Sequence, residues 1–207
     1  MQADDARRTY DAIADSYAQM YFDELSRKPL DQSLLRRFAT ECPPGLMADI
    51  GCGPGHVGRF LAELGREVVG VDLSPAMVET ARKMNPGMSF EVGDMRSLPF
   101  EDRSLSGLVA FYSLIHIERG DVPDVLREFH RVVVGGGGLL VAVHGGAGLI
   151  EQDEVLGRPL RYVATLFEPE ELAGLVAGAG FTGVEAMQRE KYDFETHSPR
   201  VYALAEN

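Results

Sequence analysis

Apolar residues first recur at helical spacing and then fall into short runs along the chain. Within residues 4–21 the spacing predicts an amphipathic helix that precedes the rest of the fold. Short apolar runs predict strands over residues 46–50, 67–71, 88–92, 105–111 and 138–144. Helical spacing and end signals predict helices over residues 57–64, 74–84 and 122–132. Strands and helices therefore alternate through the middle of the chain.

This alternation predicts the fold class. Parallel strands joined by helices require right-handed crossovers, which are typical of a doubly wound α/β sheet. Near the end of the chain, residues 168–179 are predicted as a helix, and the runs 183–189 and 200–205 follow with no helix between them. Such a pair forms a hairpin, so we expect the last strand to be antiparallel. A length of 207 residues predicts one domain over residues 1–207.

Composition narrows the classes of partner. The 32 acidic and 20 basic residues give a net charge of −12, which disfavours binding to nucleic acid and to anionic membranes. No apolar run approaches the roughly 20 residues of a spanning helix, and the first residues lack the apolar core of a secretion signal. Only Cys42 and Cys52 are present, without Cys or His at metal spacing. We therefore expect a soluble, cytoplasmic protein with neither a metal site nor a disulfide.

A glycine-rich loop follows the first predicted strand. Gly51, Gly53 and Gly55 lie at a strand-to-helix junction, where missing Cβ atoms let a ligand approach backbone N–H groups. The helix N-terminus beyond the loop favours an anionic group. Asp49 precedes the loop, and Asp72 ends the second strand, where a carboxylate can accept hydrogen bonds from two ribose hydroxyls. The alternative role for Asp72 is to cap a helix or turn.

With these motifs in order, the chain resembles the class I S-adenosylmethionine (SAM)-dependent methyltransferase superfamily, specifically small bacterial enzymes of the methyltransferase-11 type. The motifs that carry the resemblance lie at residues 10–17, 49–55, 71–77, 93–100, 171–172 and 179–181. The resemblance implies a Rossmann-like, seven-stranded sheet with an antiparallel last strand. Two departures occur, because the family usually has Asp in place of Ser106 and a Lys-Pro or Arg-Pro pair at residues 135–136. They place the starts of two strands in question.

The resemblance also implies a cofactor site. The glycine loop would face the methionine part of SAM, Asp72 would hold the ribose, Asp94 would bind the adenine amino group, and Met95 would contact the adenine ring. The residues expected to bind SAM, and its product S-adenosylhomocysteine, are Asp49, Gly51, Cys52, Gly53, Asp72, Leu73, Asp94, Met95 and Tyr17. Cys52 is expected to be a small loop residue and not a nucleophile.

Residues on the same edge of the sheet are candidates for acceptor chemistry. His116 follows the fourth predicted strand and is the leading candidate for a catalytic base, but lining the SAM pocket or bonding the backbone is favoured over catalysis as its role. His144 and Tyr10 are expected to line the acceptor site. Tyr10 and Tyr17 lie seven residues apart on one helical face, which either covers the cleft or packs in the core.

Other segments and histidines have weaker signals. Residues 145–166 have no firm assignment; they either form a substrate lid or contain a short helix near residues 153–156. His56 is expected on the surface. Around His130 and His197 the sequence shows no other residues that would form a functional site with them, so neither is given a role.

The predicted activity is methyl transfer to a small molecule, without nucleic-acid or membrane partners; the acceptor and the oligomeric state are open. A NAD(P)-dependent oxidoreductase is disfavoured because His56 occupies the sixth position of its Gly-x-Gly-x-x-Gly motif. A SAM-binding regulator or pseudoenzyme that has lost its acceptor site is the other alternative.

Overall fold

The computed structural model of the chain describes residues 2–195 and 198–207, and His197 lies outside them. The six α-helices of the described residues are α1 Ala3–Tyr21, α2 Pro29–Glu41, α3 His56–Glu63, α4 Pro75–Met84, α5 Val122–Val132 and α6 Pro169–Gly178. The strands are β1 Leu46–Ile50, β2 Glu67–Asp72, β3 Ser89–Val92, β4 Leu105–Phe111, β5 Val133–His144, β6 Leu149–Gln152, β7 Tyr162–Thr165, β8 Thr182–Arg189 and β9 Arg200–Glu206. Short 3₁₀ helices lie at Glu24–Arg27 and Leu114–His116.

Seven strands form one sheet in the order β3-β2-β1-β4-β5-β9-β8. The first five strands in this sheet order, β3, β2, β1, β4 and β5, are each parallel to their neighbours. The strand β9 is antiparallel to both β5 and β8. The predicted fold class and the antiparallel last strand are therefore confirmed. The strand order changes direction between β1 and β4, and open α/β sheets bind ligands at the carboxyl edge of such a switch point.

Both faces of the sheet are covered by helices. Along β1, Met47 faces the core formed with α2 and α3, whereas Ala48 and Ile50 face the core formed with α5 and α6. Every residue of β4 is buried, which is expected of a central parallel strand with helices on both sides. None of the described helices is long and apolar enough to cross a bilayer.

The helix α2 was not predicted from the sequence. Pro29 occupies its first turn, where the missing N–H costs nothing, and Leu34, Leu35 and Phe38 are buried on one face. This helix packs directly on the middle of β5, because a Cβ added to Gly138 would lie 2.9 Å from a ring carbon of Phe38 and 2.5 Å from Sγ of Cys42, the residue that follows α2. A larger residue there would force α2 away from the sheet.

Two other expectations need correction. The short helix suggested near residues 153–156 is wrong, because β6 and β7 form a separate antiparallel hairpin with a turn between them. Strand β5 begins at Val133 and not at 138, so it runs through the glycine stretch at residues 135–138. The strand β4 likewise passes through Ser106, whose Oγ donates to the Leu46 carbonyl at 3.1 Å. Both strands continue through the departures from the family pattern, but the pairing of β4 with β5 shifts register there, because Leu105 pairs with Val133 and Gly107 pairs with Gly138.

Candidate functional site

A cleft opens at the carboxyl edge of β1, β2 and β4 beneath α1. Its empty volume is about 1020 Å³, part of which is open to solvent. The predicted site residues that line it are Asp49, Gly51, Cys52, Gly53, Asp72, Leu73, Asp94, Met95, Tyr10, Tyr17 and His116. His144 is absent from this lining. The fold thus brings together residues from five separate segments of the chain.

The glycine loop has two different physical requirements. Gly51 has φ +69°, and an added Cβ would lie 2.2 Å from the Cβ of Ser113, so this position must remain glycine for packing. Ser113 is fixed there because its Oγ donates to the Ile50 carbonyl at 2.7 Å. Gly53 has φ +52°, and the nearest atom to an added Cβ is a Tyr17 ring carbon at 3.8 Å. There is therefore no room for a side chain at Gly51, whereas there is free space next to Gly53.

Asp72 fixes the loop and still has acceptor capacity. One carboxylate oxygen accepts the Gly53 N–H at 2.8 Å, and the other accepts the Ser74 N–H at 2.8 Å. A carboxylate has about four lone-pair sites, so two remain for a ligand. Burial raises the pKa of Asp72, whereas these two N–H groups act to lower it. Ser74 is the true helix cap, because its Oγ accepts the Met77 N–H at 3.1 Å.

The helix α1 is tied to this region through Asp11. Its Oδ1 accepts from the Ser74 hydroxyl at 2.6 Å and from the Ala76 N–H at 3.2 Å, both at the start of α4. The carboxylate therefore lies at the positive end of the α4 dipole, where a negative charge is stabilised. This contact holds α1 over the cleft.

The other predicted cofactor residues lie to either side. Asp49 is buried below the loop, where Oδ2 accepts the Gly58 N–H at 2.9 Å, and burial raises its pKa to about 6. Asp94 accepts from the backbone N–H and side chain of Arg96, at 2.9 and 3.1 Å. The Cys52 thiol is buried, which raises its pKa well above the ordinary value and leaves it protonated.

His116 has a partner at each ring nitrogen. Nδ1 lies 3.0 Å from the Val163 carbonyl oxygen, and Nε2 lies 2.6 Å from the Tyr10 hydroxyl. A carbonyl can only accept, so Nδ1 carries the proton, and the neutral ring accepts the Tyr10 proton at Nε2. Burial lowers the pKa of His116 to about 4, which keeps the ring neutral near pH 7. The Tyr10 hydroxyl therefore lies between His116 and any methyl acceptor bound in the cleft.

His144 and residues 145–166 lie farther from the cleft. The His144 ring stacks on Tyr112, with centroids 5.6 Å apart, and Tyr112 itself lines the cleft. No residue of 145–166 is among the cleft-lining residues; instead the β6–β7 segment braces α1, because the Thr9 hydroxyl donates to the Arg161 carbonyl at 3.0 Å. Arg158 donates to the Ala12 carbonyl at 2.6 Å. Acceptor contacts for His144 stay a prediction.

Sequence reasoning was wrong about His56 and missed Glu24. His56 is 9% exposed and lines the cleft, with Nε2 3.3 Å from a Glu24 carboxylate oxygen. Burial opposes ionisation of Glu24, but His56 and Lys28 outweigh it and lower the Glu24 pKa to about 2. Glu24 lies in the connection between α1 and α2, and no motif in the sequence marks it. His130, outside the cleft, packs edge-on against Phe181.

The fold and the carboxyl-edge cleft define a Rossmann-like α/β protein with a site for a nucleotide-like ligand. Residues 47–137 match the family model of a methyltransferase domain. A malonyl-(acyl-carrier protein) O-methyltransferase of Serratia marcescens is 31% identical over 109 residues, which cover 53% of this chain and 42% of the relative. A demethylmenaquinone methyltransferase of Chlorobaculum tepidum is 31% identical over 138 residues, covering 63% and 56%.

Solved structures give the same result for the fold. A SAM-dependent methyltransferase of Methanosarcina mazei superposes with a TM-score of 0.71 at 19% identity, covering 84% of this chain and 96% of that one. The chain spans about half the length of the two curated relatives. Over these residues the chain is similar to class I SAM-dependent methyltransferases, and it shares their Rossmann-like fold.

Proposed function

We propose that the chain binds SAM in this cleft and transfers its methyl group to a nucleophilic atom of a small molecule. The observation that carries the proposal is the Asp72 carboxylate, which fixes the Gly53 N–H and keeps free acceptor sites facing the cleft. A nucleoside with two ribose hydroxyls matches those acceptors.

The residues present fit this cofactor along the whole cleft. The adenine end of SAM would be held by Leu73, Asp94 and Met95, and its ribose by Asp72. The loop at residues 51–55 would hold the rest of the cofactor, with Tyr17 above the loop. The cofactor supplies a methyl group activated by a sulfonium. The chain then has to orient the acceptor, exclude water and accept a proton where the acceptor carries one.

Tyr10 and His116 form the proton-accepting part of the proposed site. Both ring nitrogens of His116 are occupied, so a proton from the acceptor reaches Nε2 by way of the Tyr10 hydroxyl. His116 is then the base, and Tyr10 is the group that the acceptor contacts. His116 is neutral near pH 7, so Nε2 has a lone pair for that proton, although burial lowers the pKa of the ring to about 4 and makes it a weak base.

The helix α1 and residues 145–166 act together as the cover of the site. The helix supplies the lining residues Tyr10 and Tyr17, while the β6–β7 segment holds the outer side of α1 through Thr9 and Ala12. Such a cover shields the reacting groups from water.

Labelled SAM added to the protein together with a metabolite extract tests the activity. We expect a labelled small-molecule product with the wild type and little with Asp72→Ala. A protein that binds S-adenosylhomocysteine yet labels nothing in extracts would be a SAM-binding regulator, and the proposed enzymatic activity would be rejected.

A further inference from the structure

Tyr112 has a backbone conformation that a tyrosine rarely adopts. It directly follows β4 and has φ +52°, in the left-handed region where residues other than glycine are strained. Among residues 2–195 and 198–207, three non-glycine residues have a positive φ, and of these only Tyr112 lines the cleft. Strain that persists at the wall of a ligand cleft indicates a functional constraint on the residue.

The hydroxyl of Tyr112 anchors this conformation in the core. It donates to Oδ1 of Asp31 at 3.0 Å, and Asp31, which lies on α2, is 0% exposed. The Tyr202 hydroxyl donates to the other carboxylate oxygen at 3.0 Å, and Arg189 donates to that oxygen at 3.2 Å. A buried carboxylate is costly without its donors, so it holds the Tyr112 hydroxyl in place. Glycine would adopt the same φ without strain but would lack this anchor.

The ring of Tyr112 is held by further contacts. The His144 ring stacks on it, with centroids 5.6 Å apart. Lys28 Nζ lies 5.0 Å and Arg200 Cζ lies 5.6 Å from the ring centroid, both within the range of a cation–π contact. These three groups come from β5, from the residue before α2 and from β9. The ring therefore cannot turn out of the cleft wall without losing contacts to several elements.

The turn after Tyr112 links its position to that of His116. The Ser113 carbonyl accepts the His116 N–H at 3.2 Å, and the Ser113 hydroxyl is bonded to the last residue of β1. Residues 114–115 are buried in the core, which leaves this turn little room to adjust. A change of chain direction at Tyr112 would therefore move the His116 ring relative to the Tyr10 hydroxyl.

We propose that Tyr112 is a positioning residue of the methyl transfer. Its hydroxyl, bound to Asp31, holds the left-handed turn that places Nε2 of His116 against the Tyr10 hydroxyl. The inference rests on the proposed function, because it concerns the proton-accepting pair of the same site. It also gives the buried charges around Asp31 a role in the cleft.

Nitrogen NMR of the histidine rings in the unliganded full chain measures the placement of His116 directly. The wild type should show a neutral ring with the proton on Nδ1, and the loss of this signal in His116→Gln identifies it. Tyr112→Phe removes only the hydroxyl, and Tyr112→Gly relieves the strain but removes the anchor, so both should shift the His116 ring signals. Tyr202→Phe is the matched control, because it takes a hydroxyl from the same carboxylate and leaves Tyr112 bonded. Its His116 signals should match those of the wild type.

Kinetics separate a positioning role from a general loss of structure. With labelled SAM and a metabolite extract, Tyr112→Phe should transfer methyl roughly 10- to 100-fold more slowly at saturating SAM, the effect of misplacing a reacting group. Its KM for SAM and its affinity for S-adenosylhomocysteine should stay within about twofold of the wild type, because the contacts of Asp72 are unchanged.

Two results would overturn the role of Tyr112. One is a set of His116 signals that is unchanged in both Tyr112 variants or equally changed in Tyr202→Phe. The other is a transfer rate that falls only in step with the affinity for S-adenosylhomocysteine. A wild type that labels nothing and binds no S-adenosylhomocysteine would instead reject the proposed function, and the His116 signals would still test the placement of the ring.

Discussion

The hydroxyl of Tyr10 lies 2.6 Å from Nε2 of His116, so the first helix meets the turn that follows β4 directly above the cleft. The same ring reaches the β6–β7 hairpin through the Val163 carbonyl. One imidazole therefore joins three segments that are far apart in the sequence. Its protonation state affects both the proposed chemistry and the stability of the cover.

His116 should make stability depend on pH. Burial lowers its folded pKa to about 4, below the ordinary value of about 6.5, so between these values only the unfolded chain binds the proton. The contribution of the neutral ring to the free energy of unfolding is therefore fully present above pH 6.5 and is lost as the pH falls toward 4. Relative to His116→Gln, the wild type should lose roughly 1–2 kcal/mol between pH 7 and pH 5.

Urea unfolding of both proteins at the two pH values measures this difference. Asp49 has a raised pKa of about 6 and acts in the opposite direction, but it is present in both proteins and cancels. Identical pH dependence in the two proteins would contradict a neutral, buried His116.

Replacing Arg189 should be strongly destabilising. Its guanidinium lies 3.2 Å from Asp31, whose side chain is 0% exposed, and 2.6 Å from Glu195. Arg189→Met leaves buried carboxylates with fewer partners, which costs about 3–5 kcal/mol when a buried pair is broken. Thermal unfolding should show a much lower midpoint.

Arg37→Met is the matched control, because Arg37 pairs with Glu185 at the surface, where both side chains are exposed to solvent. Its unfolding midpoint should move far less than that of Arg189→Met. If the two variants lost stability equally, the buried network around Asp31 would not have the importance that its burial implies.

Sequence patterns predicted the sheet and one edge of the site because both depend on local signals. Burial on two faces makes residues 108–111 of β4 an unbroken apolar run, and the turn at Gly51 requires glycine at one position. The carboxyl ends of β1 and β2 then bring Asp49 and Asp72 to the same edge. Those features could be predicted from neighbouring residues alone.

The remaining site depends on contacts between residues that are distant in the sequence. Glu24 and His56 meet only because α2 packs across α3 and brings the preceding turn to the cleft. The pairing of Tyr10 with His116 is of the same kind. The β6–β7 hairpin was missed because its β6 strand is half exposed and has no strong apolar run.

Hydrogen exchange should reveal the proposed cover. Amides of α1 and of residues 145–166 should gain protection when S-adenosylhomocysteine binds, since the ligand stabilises the closed arrangement. Amides of α5, whose apolar face is buried in the core, should change little and serve as the internal control. Unchanged exchange in both cover segments would reject the lid and leave the cofactor site untouched.

Calorimetric titration of S-adenosylhomocysteine into the wild type and Asp72→Ala tests the central claim most directly. The wild type should bind one equivalent at micromolar concentration or tighter and bind NADH poorly. Asp72→Ala should bind more weakly by about 1.5–3 kcal/mol, the range for hydrogen bonds to a charged group. Circular dichroism has to confirm that the variant is folded, because Asp72 also accepts two backbone N–H groups. A wild type that prefers NADH, or a folded Asp72→Ala with unchanged affinity for S-adenosylhomocysteine, would contradict the assignment of this cleft.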